Sequence, residues 1–308
     1  MANGSILNTN DKNISLYRTY TQNADLSTTQ YLPATKIKVG INNGTPAIAN
    51  NNLDYAIPIT DGTVNDDGSN TFIGSDGGDN STANIITYKE GAGVTDLTSQ
   101  NLIANDTSVT KIWTIADLTT GGANCVSTKY IANWLYILDS VTLAKFLTAG
   151  TALQLRIGAD TTANYYSRDI TASELSVGWN WICDNELLST WDITGTPGTL
   201  NDFAILITTN NATDTFIAGD VVYDLLRQWE SSDLVKDFVT GYPTFDFVNN
   251  EISIRGYLNS LQANGFLING LGTFNEDTAP LMTGEDTFTG ESKSGTDEFI
   301  FVIKNQIL

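Results

Sequence analysis

The chain has 308 residues, 41% hydrophobic and 10% aromatic, enough to fill one large core or two modest ones of about 150 residues each. Its 35 acidic and 15 basic residues give a net charge of -20, which repels phosphate backbones and anionic membranes and excludes nucleic-acid binding. Histidine is absent, which removes Ser-His-Asp and Cys-His nucleophiles, imidazole acid-base catalysis and His-ligated zinc.

Only 16% of residues are charged, and Thr, Asn, Ser and Gly supply the remaining polarity, a composition of strands and turns. The N-terminal residues lack a basic region followed by an apolar stretch, and no run of about 18 apolar residues occurs anywhere, so no signal segment or membrane insertion is expected. Ile6, Leu7, Ile14 and Leu16 lack local apolar partners and read either as an ordinary first strand or as a segment docking on a neighbour. Period-two alternation predicts a strand over 35–40. Residues 60–70 and 74–84, crowded with Gly, Asp, Asn and Ser, read as loops and mark a boundary.

Further strands are predicted over 130–138, 152–158, 179–183, 203–208, 220–226, 251–257 and 298–303. A short helix is expected over 140–147, capped by Asp139 or Ser140 and ended by Gly150. Gly178 permits a sharp entry into a strand on which Trp179 and Trp181 share one face while Asn180 points the other way. A second compositional shift falls at 227–233. The fold class is therefore all-β, an antiparallel sandwich.

Chemistry-bearing motifs are sparse. The stretch from Asp61 to Gly68 is rich in oxygen ligands, but its spacing misses the EF-hand glycine and glutamate. Ser75 to Asn80 is glycine-rich without the lysine that would reach a phosphate. Cys125 and Cys183 are too few for a disulfide framework, match no metal knuckle and read as small buried hydrophobes. Glu174, Asp184, Glu186 and Asp192 surround the tryptophan-rich stretch and are the carboxylates that a polysaccharide-degrading enzyme would draw on, although solvated turn charges are the plainer reading.

From Lys129 to Trp229 the order of motifs is distinctive: Ile157-Gly158-Ala159-Asp160, then Asn164-Tyr165-Tyr166, Gly178-Trp179-Asn180, Gly195-Thr196-Pro197, and a last strand ending Tyr223-Asp224-Leu225-Leu226. This stretch resembles a jelly-roll domain related to carbohydrate-binding modules and frequent in bacteriophage virion proteins. The resemblance implies aromatic platforms that stack on sugar rings. Trp191, Tyr165, Tyr166, Trp181 and Trp134 are the candidates, Trp191 being the best placed for exposure, with core packing the competing role for each. It also implies a structural calcium near the first and last strands, pointing to Asp224 with Asp220 nearby.

The flanks resemble the two halves of a domain of phage tail and fibre proteins. They do so through Lys38-Val39-Gly40 and a Thr-Pro turn at Thr45-Pro46, and through Ala263-Asn264-Gly265, Gly272-Thr273-Phe274-Asn275, Phe288 and Ser292-Lys293. Where that family has a glutamate before its turn, this chain has Asn269-Gly270-Leu271-Gly272. The expected organisation is a small β-sandwich-like domain split into residues 1–75 and 232–308, with a jelly roll inserted at 76–231. The resemblance implies a non-enzymatic structural protein on the exterior of a phage particle, either tail fibre or capsid decoration. Its implied partners are other virion proteins, copies of itself as a trimer, and a cell-surface glycan.

Overall fold

A computed structural model describes residues 6–7, 34–41, 53, 55–60, 62–74, 79–89, 98–120, 122–183, 186–246, 248, 251–274 and 282–306. With 53% strand and 7% helix the protein is all-β. The N-terminal flank carries β1 (Ile6–Leu7), β2 (Lys36–Ile41) and β3 (Tyr55–Ile57). The middle carries β4 (Thr63–Asp66), β5 (Ile73–Gly74), β6 (Asn80–Asn84), β7 (Ser99–Ile103), β8 (Thr110–Ile115), β9 (Tyr130–Ile137), α1 (Ser140–Leu143), β10 (Thr151–Asp160), β11 (Asn164–Thr171), β12 (Gly178–Cys183), β13 (Asp192–Thr194), β14 (Asp202–Thr208) and β15 (Val221–Trp229). The C-terminal flank adds β16 (Lys236–Asp237), β17 (Thr244–Asp246), β18 (Glu251–Leu258), β19 (Leu267–Phe274), β20 (Met282–Ser292) and β21 (Phe299–Gln306). Among the described residues no helix is long and apolar enough to cross a membrane.

The chain divides into Met1–Asp61 with Trp229–Leu308, and Gly62–Gln228. The first crossing falls at 61/62 instead of the expected 75/76. The reason is strand pairing: β4 lies against β15, with Thr63 opposite Gln228 and Asp66 opposite Leu226, and β5 lies against β8. The second falls at 228/229, just before the expected 231/232.

In the inserted unit the strands run β12-β9-β15-β7-β6-β5-β8-β14-β10-β11-β13, with β4 also on β15. The antiparallel sheet curls on itself, β12-β9-β15-β7 forming one layer and β8-β14-β10-β11-β13 the other. The chain crosses between layers from β7 to β8, β8 to β9, β9 to β10, β11 to β12, β12 to β13 and β14 to β15, which gives the jelly-roll course. Along β10, Leu153, Leu155 and Ile157 enter the core while Gln154 and Arg156 point out. Trp113, Phe203, Phe216 and Tyr223 fill the centre, and Phe72 meets Tyr223 edge-on at 4.9 Å between ring centroids.

Two local expectations change. The helix spans only Ser140–Leu143. Asp139 caps it as expected, accepting from the Thr142 amide at 2.7 Å, but Phe146 is drawn into the core opposite Thr209, and the Leu147 amide bonds the Thr208 carbonyl at 2.9 Å. The tracts read as loops contain β4, β6 and the end of β5 at Gly74. Their ladders are supported by polar side chains: Ser81 Oγ accepts from the Phe72 amide at 2.7 Å, and Asn84 Nδ2 donates to Asn101 Oδ1 at 3.0 Å. Residues 75–78, 184 and 185, and Ile14 and Leu16, lie outside the described residues.

The split unit holds the sheet β1-β20-β19-β2-β16, with β3 on β2, and a separate three-stranded sheet β17-β18-β21. Leu53, Phe274 and Met282 form an apolar cluster, and the buried Lys38 places its ammonium 4.6 Å from the Phe274 ring centroid. Lys293, also buried, donates to Asn264 Oδ1 at 2.9 Å and to the carbonyls of Ser294 at 3.0 Å and Asp297 at 2.6 Å. These bonds fix the turn between β20 and β21.

Adjacent residues of the jelly roll provide a test of this packing. Phe216 is fully buried against Phe146, whereas Ile217 is exposed. Phe216→Ala is expected to cost about 3–5 kcal/mol in urea unfolding, and Ile217→Ala less than about 0.5 kcal/mol. Comparable losses for the two would contradict the register.

Candidate functional site

Strands β9 and β12 pair with Trp134 opposite Trp181 and Tyr136 opposite Trp179. Alternation sends Ile131, Leu135, Ile137 and Ile182 into the core and the four aromatic rings to the opposite face. The rings form a ladder, with centroid separations of 4.9 Å for Trp134 and Trp181, 6.2 Å for Trp134 and Trp179, and 5.3 Å for Tyr136 and Trp179. Lys89 Nζ lies 4.4 Å from the Trp134 ring centroid; Trp134 and Trp181 are buried, while Tyr136 and Trp179 stay half-buried. Gly178 has φ +92°, which admits the chain to β12 at the turn. Asn180, on the core side, accepts from the Ser176 amide at 2.7 Å and donates to the Ser176 carbonyl at 2.8 Å, so its burial is satisfied.

A buried acidic pair lies beside β15. Tyr223 Oη donates to Asp66 Oδ2 at 2.7 Å, and the Lys89 amide donates to Asp224 Oδ2 at 2.6 Å. Asp66 Oδ1 and Asp224 Oδ1 are buried with no hydrogen-bond partner. Burial pushes the Asp224 carboxyl up to about 8, partly offset by the Lys89 amide, with Asp66 raising it further. Burial likewise pushes Asp66 up to about 6 against the lowering effect of the Tyr223 hydroxyl. Gly68 is required here: with φ +91°, a Cβ at this position would lie 2.3 Å from Asp224 Oδ1 and 2.6 Å from the Thr98 carbonyl oxygen.

The structure places the sequence-predicted residues differently from one another. Trp191 is 6% exposed and belongs to the core, so its predicted exposure is corrected: the turn before β13 folds its indole inward. Trp181 and Tyr165 are also buried, Tyr165 under the Arg156 guanidinium at 4.5 Å, and the half-buried Tyr166 packs against the core. None of these four offers an open stacking face. Tyr136, Trp179 and Lys89 are absent from the platform candidates, although Trp179 shares a face with Trp181 by alternation, because the cross-strand register that unites them has no signature in one strand alone.

Asp220 is engaged by Lys145 Nζ at 3.0 Å and by the Ile217 amide at 3.2 Å, which leaves Asp224 and Asp66 as the pair with orphaned oxygens. Two hard carboxylate oxygens fit a calcium ion in donor chemistry, and such an ion would neutralise their charge. Among the described residues no group of three or more His, Cys, Asp or Glu side chains is placed to hold a metal ion. Of the four surrounding carboxylates, Glu174 Oε2 accepts from the Thr171 amide at 2.8 Å in a capping box, Glu186 and Asp192 are exposed, and Asp184 lies outside the described residues. Cys125 and Cys183 are buried thiols that form no disulfide.

Fold and site together define an all-β jelly-roll protein with an aromatic ladder on a sheet face and a buried acidic pair beside it. No protein-family model and no curated protein matches the chain.

The acidic pair makes stability depend on pH. Both carboxyls are held above the ordinary aspartate value, so between pH ~4 and ~8 the folded chain keeps protons that the unfolded chain has released. Stability should therefore fall as pH rises through that window, and Asp224→Asn should flatten the slope by up to about 1.4 kcal/mol per pH unit in urea titrations. Calcium is expected to raise the melting temperature at pH 8 in the wild type and not in Asp224→Asn. An equal response in both would remove calcium from this pair.

Proposed function

We propose that the chain is a non-enzymatic structural protein on the exterior of a phage particle, in which the inserted jelly roll binds a cell-surface glycan. One observation carries the binding part: Tyr136 and Trp179, 5.3 Å apart on a sheet face directed away from the core, form a ledge of aromatic surface backed by a second aromatic pair. Sugar rings present apolar C–H faces that stack on such rings, and a backed pair loses little entropy on binding. The virion setting rests on the motif resemblances of the inserted stretch and both flanks. A net charge of -20 suits a surface that stays soluble and avoids nucleic acid.

A second reading, polysaccharide cleavage by a carboxylate pair, draws on Asp202, whose carboxyl is pushed up to about 6 by partial burial and then by the neighbouring Asp160 and Asp117.

Binding to host-surface polysaccharide decides between these readings. Trp179→Ala and Tyr136→Ala are each expected to weaken retention about ten-fold with the melting temperature nearly unchanged, while Ile193→Ala on the exposed β13 leaves retention intact. Retention unaffected by either aromatic substitution would overturn the glycan reading. Release of reducing ends, lost in Asp202→Asn, would establish the enzymatic one. Immunogold labelling of particles with an antibody to the jelly roll tests the virion assignment, and unlabelled particles would refute it.

A further inference from the structure

Strand β21 is the outer strand of its sheet. It pairs with β18 from Leu258 opposite Phe299 to Glu251 opposite Gln306 without a register shift, and among the described residues no strand pairs with its other edge. Five consecutive apolar residues, Phe299 to Ile303, occupy this edge. Ile300 and Val302 face solvent at 54% exposure each. On the other face, the half-buried Phe299 and Phe301 line a groove of about 840 Å³ with Leu271 and Phe288. Soluble monomers blunt such edges with inward charges, proline or bulges, and the apolar run of β21 has none of these.

The sequence of the edge is complementary to itself. If a second β21 is laid antiparallel with Phe301 opposite Phe301, Ile300 falls opposite Val302, Phe299 opposite Ile303, and Glu298 opposite Lys304, each pair occurring twice. Glu298, Ile300, Val302 and Lys304 share one face by alternation, so an apolar centre is closed at both ends by opposite charges. Centring the pairing on residue 300 or 302 sets a charge against an apolar residue, and parallel in-register pairing sets glutamate against glutamate. Tyr257, on the same face of β18, hydrogen bonds Glu298, and the buried Lys293 fixes the turn leading into the strand. The local patch thus escapes the repulsion expected between two copies of so acidic a chain.

We propose that β21 is a self-association strand: two copies of this chain pair their β21 edges antiparallel about a two-fold axis at Phe301, merging their three-stranded sheets into one. The inference is independent of the glycan and virion readings. Sedimentation of the full chain across a concentration series tests it. The wild type should form a dimer. The exposed-face variant Ile300→Lys with Val302→Lys should sediment as a monomer with an unchanged circular dichroism spectrum. Glu298→Lys alone, which opposes like charges twice, should weaken the dimer about ten-fold, and adding Lys304→Glu should restore it to within about two-fold. A wild-type monomer or trimer at every concentration, a dimer indifferent to the lysine pair, or a double charge swap as weak as the single one would each overturn the proposal.

Discussion

Strand β15 is buried along its whole length, and the inserted unit is organised around it. It contacts β9, β7 and β4, so it must satisfy backbone partners on both edges and side-chain neighbours on both faces. Tyr223 projects into the core while Asp224 lies on the opposite side, and the backbone then passes through φ 52° at Leu225 with a register shift between Leu226 and Arg227. That irregularity lets one strand serve two partners: the sheet with β7, and the returning segment β4. Gln228 closes the arrangement by bonding both the amide and the carbonyl of Val126, at 2.7 and 2.9 Å. The aromatic ladder on β9 and β12 inherits its position from this strand, since β9 lies between β12 and β15.

Polarity inside the jelly roll follows a consistent rule. Ser81, Gln100, Asn180 and Gln228 are buried, and each bonds backbone that strand pairing alone leaves unserved. Asp66 and Asp224 depart from it: each retains an oxygen with no donor, as Asn65, Asp106 and Asn133 also do, but here the two groups are carboxyls and Asp66 raises the proton affinity of Asp224. A buried carboxylate oxygen without a partner is costly, and the group responds by holding its proton or by taking a cation. The contrast makes the acidic pair chemically distinct from the structural polar residues around it.

How much of this was legible in the sequence depends on which force set each element. Strands β10 and β18 follow apolar alternation and β14 a continuous apolar run, both local signals, and all three emerge close to their true limits. Strand β4 is tied by Asn65, which donates to the Ala123 and Asn124 carbonyls, and β5 and β6 by Ser81, Asn84 and Asn101, and polar ladders of that kind resemble loops when read as composition. The helix cap at Asp139 is local and was legible, but its early end follows from the core's demand for Phe146, which is not. For the candidate site, residue types were readable and orientation was not. Trp191 sits in a polar turn yet packs inward, while Trp179 and Trp181 look like core and occupy the other face, because Asn180 can be buried at no net loss of hydrogen bonds.

The crossing into and out of the jelly roll is pinned within the split unit. The Ile59 amide donates to the Asp233 carbonyl at 2.8 Å, Thr60 Oγ1 donates to Asp233 Oδ1 at 2.9 Å, and Trp229 Nε1 donates to the Thr60 carbonyl at 3.1 Å. The two connecting segments are therefore stitched side by side. Tension applied between the N-terminal and C-terminal flanks meets this stitch first, because its three hydrogen bonds join the two flanks directly. A domain inserted in this way can be pulled on through its host, or exchanged over time for another, without its own strands being drawn apart.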